Sequence, residues 1–450
     1  MIGFLTALSC LPFGKIPIDE NRIQIYKTNP QYWQYKSEPV LLLGGSVEDN
    51  LFQIPNIEEH LDLLQSTGGN YVRCTMSCRD EGNIWQFKKV EDLYDLDQWD
   101  EEFWQRFRNF LKLTAKRDII VQIEIWATFD YYRQNWDINP FNPKNNINYT
   151  FEQTDLPEAV DSHPTQAENN FFWSIPAENN QQVVLKYQKK FVDQILYYSL
   201  QFNHVLYCMD NETSVTPEWG EFWAKYIQAK ANDRNINIET TEMWDSHNLF
   251  HIQHKNTLDH PEIYSFCDAS QNNHQQGQTH WNNAQKFRAQ LNPTRPINSV
   301  KIYGSDQYHF GNNQDGLERF WRNIIGGMAS ARFHRPPSGL GLSTLARKHL
   351  KSMRMLTNNI HIFSCQPNSH LLSNRQENQA YATANIGKEA IVYFPTSGTV
   401  NIDLSLFDTE LTLTWLDINQ SKWLNQTPIH GGGPVTLTTP GQGHWAVLIR

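Results

Sequence analysis

Through the first three quarters of the chain, short apolar runs alternate with longer stretches whose apolar positions return every three or four residues. VLLLGGS at 40–46 precedes IEEHLDLLQSTG at 57–68, which has helical spacing and a closing Gly68. NYVRCTMSC at 70–78 is a second strand, and WDEEFWQRFRNFLKLTAKRD at 99–118 its helix, opened by acids that suit a helix N-terminus. IIVQIEIWAT at 119–128, VLYCMDNET at 205–213, INIETTEMWD at 236–245, EIYSFCDASQ at 262–271, PINSVKIYGSD at 296–306 and RFHRP at 332–336 supply strands three to eight. Helical stretches such as VVLKYQKKFVDQILYYSLQF at 183–202 and LERFWRNIIGGMASA at 317–331 lie between them. Eight such units in succession predict an α/β fold, a (β/α)8 TIM barrel over residues 15–359.

From about residue 360 the period changes. AYATANI, EAIVYFP, TVNIDLSLF, LTLTWLDI, VTLTT and HWAVLIR alternate apolar and polar positions between Gly, Pro and Asn turns, which predicts a small antiparallel β-sandwich over 360–450. Trp415 and Trp445 sit at strand spacing and are expected in its core. Between strand three and its helix a polar excursion runs from 129 to 182, far beyond the ~2–6 residues of an ordinary βα loop, and is expected to wall the site. Residues 1–14, MIGFLTALSCLPFG, read as an apolar leader without a basic start, or as an arm under the barrel. The leader reading carries the expectation of an extracytoplasmic, periplasmic or secreted, protein.

Composition narrows the partners. A net charge of -10 with no Lys/Arg block argues against a nucleic-acid ligand, and no apolar run past the leader is long enough to span a bilayer. Aromatic content of 13% with 15 Trp provides the flat faces a sugar platform needs, although many of those rings must be core. Six cysteines form no zinc-type pair; Cys74 and Cys78 read as buried thiols. With no Gly-rich phosphate loop, HExxH helix or GxSxG elbow, neither cofactor nor metal is expected.

In a parallel barrel the reacting groups sit at the C-terminal ends of the strands. Asp210, Asn211 and Glu212 end strand four there. An Asn before a Glu at this place, with the LLLGGS opening strand, NYVRCTMSC, and barrel followed by sandwich, resembles the clan-A retaining glycoside hydrolases, and within them the apiosidase-like barrels. The resemblance covers nearly the whole chain, though only the Asn211–Glu212 pair is a specific motif. It implies that Asn211 contacts a sugar 2-hydroxyl and that Glu212 is the acid/base; the other reading of DNET is a turn capping the next helix.

Retention requires a second carboxylate ~5–5.5 Å away as nucleophile. The family has a Glu at the end of strand seven, whereas this chain has Asp306 there, one methylene shorter. Three readings stay open: Asp306 as nucleophile; a wider pair, ~6.5–9.5 Å apart, that inverts; or a nucleophile from Glu242 or Asp268, which end strands five and six. Proton donation calls for a raised pKa at Glu212, and Arg73 is the cation expected to keep its partner ionised. Asp49, Glu124, Trp126, Trp244, Tyr308 and His309 are expected to line the cleft, with Trp126 or Trp244 stacking on a ring. Arg332, His334 and Arg335 on strand eight, with Arg79, suggest an anionic sugar, the alternative being pairs with barrel acids. The expected function is a glycosidase acting on a plant or algal polysaccharide or oligosaccharide. An inactive carbohydrate-binding protein on the same scaffold, a lyase and a transglycosidase are its rivals.

Overall fold

The computed structural model describes residues 19–162, 169–305 and 309–450. The leader at 1–14, Asp306 and Tyr308 lie outside them. Parallel strands are numbered in chain order: β1 (Leu42–Gly45), β2 (Tyr71–Thr75), β3 (Ile120–Trp126), β4 (Val205–Asp210), β5 (Thr240–Thr241), β6 (Cys267–Asp268), β7 (Ile297–Asn298) and β8 (Ser330–Phe333). Six form one parallel sheet in the order β5-β4-β3-β2-β1-β8, and β6 pairs with β7. Backbone bonds from Ala329 N to Ile297 O (2.9 Å) and from Arg332 N to Ser299 O (3.0 Å) link β7 to β8, and Phe266 N reaches Thr240 O (3.4 Å) beside β5.

Strand alternation sends every second side chain to the same face. Those faces meet: Asn298 on β7 donates to Tyr71 OH on β2 and to Gln122 Oε1 on β3, each at 3.2 Å. One level higher, Arg73 on β2 donates to Glu124 on β3 at 2.6 Å. The interior is therefore polar in layers, and its uppermost layer carries the site.

Below that interior lies a small antiparallel sheet of Gln24–Ile25, Trp33–Tyr35 and Glu38–Val40. Trp33, fully buried, donates to Asn298 of β7 and meets Phe266 edge-on just before β6, so this segment closes the N-terminal end of the strands.

Helices cover the outside: α1 (Ile57–Ser66), α2 (Glu101–Lys116), α3 (Gln182–Ser199), α4 (Pro217–Asn232), α5 (Ile252–Asp259), α6 (Gly277–Arg288), α7 (Asn313–Ile325) and α8 (Thr344–Thr357). In α2 the Asp100 carboxylate caps Phe103 N at 3.0 Å, while Phe103, Trp104, Phe107, Phe110 and Leu111 form the buried stripe that the sequence pattern outlines. No helix among the described residues is long and apolar enough to cross a membrane.

The excursion after β3 folds mostly on itself. Asn139, Asn142, Asn146 and Asn169 donate to backbone carbonyls within it, and Trp136, Phe141, Phe171 and Phe172 extend the main core outward, Phe171 packing on Trp126 and Phe172 on Trp219. It is a buttress more than the expected wall, since of its described residues only Phe129 lines the cavity below.

The C-terminal region is antiparallel. A seven-stranded sheet includes Tyr381–Asn385, Glu389–Phe394, Trp445–Ile449 and Glu410–Asp417, and a three-stranded sheet joins Leu372–Ser373, Thr399–Asp403 and Pro434–Thr438. Ala382, Val392 and Val447 of the first sheet share a core with Val400, Ile402 and Leu437 of the second; Trp445 belongs to it and Trp415 packs against it. The opposite face of the larger sheet packs on the helices, with Tyr393 stacked on Trp321 of α7 at 5.2 Å.

Candidate active site

Beyond β4 the chain turns sharply. Asp210 and Glu212 are two residues apart, and in an extended strand both would point to one side. Glu212 instead adopts a left-handed conformation, φ 56°, uncommon for a residue with a long side chain. Its neighbours hold the turn: Asn211 N donates to Trp126 O (3.0 Å), Thr213 N to Met243 O (2.9 Å), and the Thr128 hydroxyl to Asn211 O. Strain maintained in this way is characteristic of functional sites. Its effect here is to present the Glu212 carboxyl to a cavity of 340 Å³ at the C-terminal ends of the strands, together with Asn211, Asp49, Lys301, Tyr303 and His334.

Three donors converge on one oxygen of Glu212. Lys301 Nζ is 2.8 Å from Oε1, Tyr303 OH donates to it at 2.7 Å and Gln271 Nε2 at 2.9 Å. Lys301 also donates to Asn211 Oδ1, which locks the Asn–Glu pair into one unit. Burial alone pushes the Glu212 carboxyl up, but the Lys301 ammonium, with the Lys301 and Tyr303 hydrogen bonds and the Arg73 charge, holds it well below its ordinary value. The expectation of a raised Glu212 pKa is thus corrected: in the resting site the group is an anion, because a buried cation the motif did not announce lies against it.

Lys301, Tyr303 and Gln271 were not among the sequence candidates. For Lys301 and Tyr303 the signal was the alternation of Ser299, Lys301 and Tyr303 with Val300 and Ile302 in INSVKIYG; Gln271, in the turn after β6, had none.

Asp49 is the second carboxylate that lines the cavity among the described residues. Burial works against its charge, but Arg73 Nη1 at 2.7 Å, with Arg335 Nε at 3.2 Å and Arg332 at 3.6 Å, holds it well below the usual carboxylate range. Arg73 therefore keeps an acid ionised as expected of it, with Asp49 and Glu124 as its direct partners.

The other cations are committed as well. Arg332 is fully buried, bonded to Ser46 and to Val300 O, and 3.6 Å from Asp49; Arg335 meets Glu48 at 2.6 Å and Asp80 at 3.5 Å; Arg79 meets Asp130 at 3.0 Å. The anionic-sugar expectation for Arg332, His334 and Arg335 loses its basis, since their charges answer barrel acids. His334 is at the cavity wall, edge-on to Tyr303 at 4.9 Å, and burial keeps its imidazole neutral.

Several expected lining residues face elsewhere. Trp126 is fully buried and packs on Trp219 and Trp223 of α4, at 5.7 and 5.0 Å, so it is a strut and not a sugar platform. Trp244 is likewise buried, bonded to Thr257 at 2.9 Å on α5. Glu242 accepts from Asp210 N (3.0 Å) and Met243 N (2.8 Å) and abuts α4, where a β-carbon on Gly220 would come within 2.4 Å of its Oε2. Asp268 accepts from Ser270 N at 2.8 Å and Ser270 Oγ at 2.9 Å. Neither acid lines the cavity, so neither is placed to be the nucleophile. Glu124 is enclosed beneath Arg73 and likewise off the cavity wall, and His309 is exposed. Among the described residues no cluster of His, Cys, Asp and Glu is arranged to hold a metal.

No family model matches the chain, and no curated protein matches it in sequence. Solved structures do match in fold. A family 5 glycoside hydrolase from Bacteroides vulgatus superposes with a TM-score of 0.65 at 10% identity, covering 96% of this chain and 94% of its own. Another protein described as a glycoside hydrolase gives 0.64 at 11% identity, over 96% and 97% of the two chains. A family 5 mannosidase from Rhizomucor miehei, in complex with mannosyl-fructose, gives 0.52 at 10% identity over 76% of this chain and 98% of its own. The fold of this chain is that of glycoside hydrolases.

Proposed function

We propose that the chain is a clan-A glycoside hydrolase, a closed (β/α)8 barrel over 15–359 with a β-sandwich over 360–450, that cleaves a plant or algal oligosaccharide in the cavity at Glu212. One observation carries the reading: a carboxylate at the end of the fourth strand, turned into the cavity by a left-handed backbone and joined through Lys301 to the Asn before it. Glu212 serves as acid/base and Asn211 holds the sugar hydroxyl. On this reading the glycosidic oxygen takes the place of Lys301 beside Glu212, and the carboxylate, released from the ammonium, takes up a proton from solvent water and passes it to that oxygen. Asp49 and Asp306 are the nucleophile candidates. The first is supported by the four cationic or imidazole groups around it, the second by its place in the sequence after strand seven. Retention of anomeric configuration is part of the proposal.

Glu212→Gln tests it on a panel of aryl glycosides. The expected result is a loss of turnover of about 10²–10⁴-fold, the usual share of a general acid–base group, with sugar binding retained. A protein that binds sugars and hydrolyses none of them, before and after the substitution, is the non-catalytic alternative.

A further inference from the structure

On the outer face of the helical layer, α3, the end of α4 and Trp99 border a groove of 660 Å³ that shares no lining residue with the Glu212 cavity. Five cations line it, Lys186, Lys189, Lys190, Lys230 and Arg234, against one carboxylate, Asp193. In a chain of net charge -10 this is a local reversal of sign. Lys186 is three and four positions before the adjacent Lys189 and Lys190, and Asp193 three and four after them, so charges recur about once per helical turn of α3, ~5.4 Å.

Apart from Lys190, which donates to Leu96 O at 2.6 Å, these cations are not consumed internally as those of the cavity are. Lys186 approaches Asp97 only at 3.7 Å, Lys230 meets Asp193 at 3.0 Å with both side chains about 40% exposed, and no carboxylate among the described residues pairs with Lys189 or Arg234. Exposed contacts of this kind contribute ~0–1 kcal/mol each and yield readily to a better anion. The aromatic residues complete the site. Trp99, Tyr226 and Tyr197 share the lining, and Tyr197 is 54% exposed. Rings with lysines over them, Lys190 on Trp99 at 4.6 Å and Lys230 on Tyr226 at 5.1 Å, offer charge and an apolar face together.

We propose that this groove binds a segment of acidic polysaccharide, sugar rings bearing carboxylates or sulfates, apart from the catalytic cavity. The preference for a glycan over another polyanion rests on the glycosidase reading and on one further observation. A neighbouring trough meets the groove at Trp99 and Gln194, and Asp100, Glu101 and Glu102 line it. Those acids bar a charge-dense nucleic-acid backbone from continuing past the basic stretch, whereas one charge per sugar ring fits within it.

The test is binding of the purified full chain to polygalacturonate and to a sulfated glycan by affinity electrophoresis and calorimetry. A neutral galactomannan and single-stranded DNA serve as comparisons. Wild type is expected to bind both acidic glycans, to bind them at least tenfold more weakly at 0.5 M salt, and to ignore the other two. Lys189→Glu with Arg234→Glu, both outside the catalytic machinery, is expected to cost at least tenfold in affinity with an unchanged melting temperature and unchanged hydrolysis of a small aryl glycoside. Absence of binding by wild type, binding that survives the double substitution, or equal binding of DNA overturns the proposal. Glu212→Gln separates the two readings: it is expected to keep this binding in full, so loss of hydrolysis and loss of groove binding fail independently.

Discussion

At the C-terminal ends of β4 and β5 two pairs of side chains, Asn211 with Glu212 and Asp210 with Glu242, have opposite surroundings. Asn211 and Glu212 face the cavity, where Lys301, Tyr303 and Gln271 donate to one carboxylate oxygen and keep it ionised. Asp210 and Glu242 face α4, where Trp219 Nε1 donates to Asp210 at 3.3 Å and no cation lies against either carboxyl among the described residues. Burial pushes both of these carboxyls up, and a hydrogen bond between them raises Asp210 further, so the pair holds a proton between its carboxyls. The same residue type is thus an anion on one side of the strand end and an acid on the other. What decides is whether a cation reaches it, and here that cation comes from the segment just after β7, 89 residues after Glu212 in the chain (301 minus 212).

The largest stability effect should come from the helix-facing side. Trp126→Ala empties a site among Trp219, Trp223, Phe171 and Phe191, and is expected to cost about 3–5 kcal/mol while leaving KM for a small glycoside unmoved. A raised KM at intact stability would instead put Trp126 in contact with sugar. Denaturant melts and initial-rate kinetics on one preparation distinguish the two.

A smaller effect is expected from Lys301→Met on the cavity side. Without the ammonium, Glu212 loses the main influence that depresses its pKa, and the protonated form becomes available at higher pH. The alkaline limb of kcat/KM should move up by roughly one unit, a shift equivalent to ~1.4 kcal/mol. A profile that drops without moving would mean that Lys301 supports the site without governing the protonation of Glu212.

The smallest effect concerns the shared proton. A carboxyl whose folded pKa is raised binds its proton more tightly in the folded state; the resulting stability is complete below the ordinary carboxylate range and is lost as pH rises past neutrality. Glu242→Gln cannot ionise and escapes that loss. Its melting temperature relative to wild type should be about 2 °C better at pH 8 than at pH 5, and a constant difference across pH would exclude the shared proton.

Much of this was legible in the chain. The runs at 40–46, 70–78, 119–128 and 205–213 became β1–β4, because continuous apolar strands under amphipathic helices have one stable arrangement. Strands five to seven were located but overestimated: INIETTEMWD at 236–245 keeps only Thr240–Thr241, its polar ends being used in turns and side-chain bonds. Asn211 and Glu212 could be placed because a motif at a strand end has a position as well as a composition. Lys301 could not, since a single Lys in an apolar strand also fits a side chain that snorkels to solvent. Trp126 and Trp244 were misjudged for a related reason: sequence puts an aromatic at a strand end but does not say whether it meets the cavity or the helix outside. For the strand-eight arginines an anionic sugar and pairing with barrel acids both stood open, because their partners, Glu48, Asp49 and Asp80, are far away in sequence.

The most direct test of the Glu212 assignment is chemical rescue. Glu212→Ala, assayed on an aryl glycoside with added azide, should recover turnover and release a glycosyl azide of the same anomeric configuration as the substrate, because azide replaces the base that activates water on a glycosyl-enzyme intermediate. A glycosyl azide of inverted configuration would make Glu212 the nucleophile. Turnover equal to wild type without azide would remove Glu212 from the chemistry altogether.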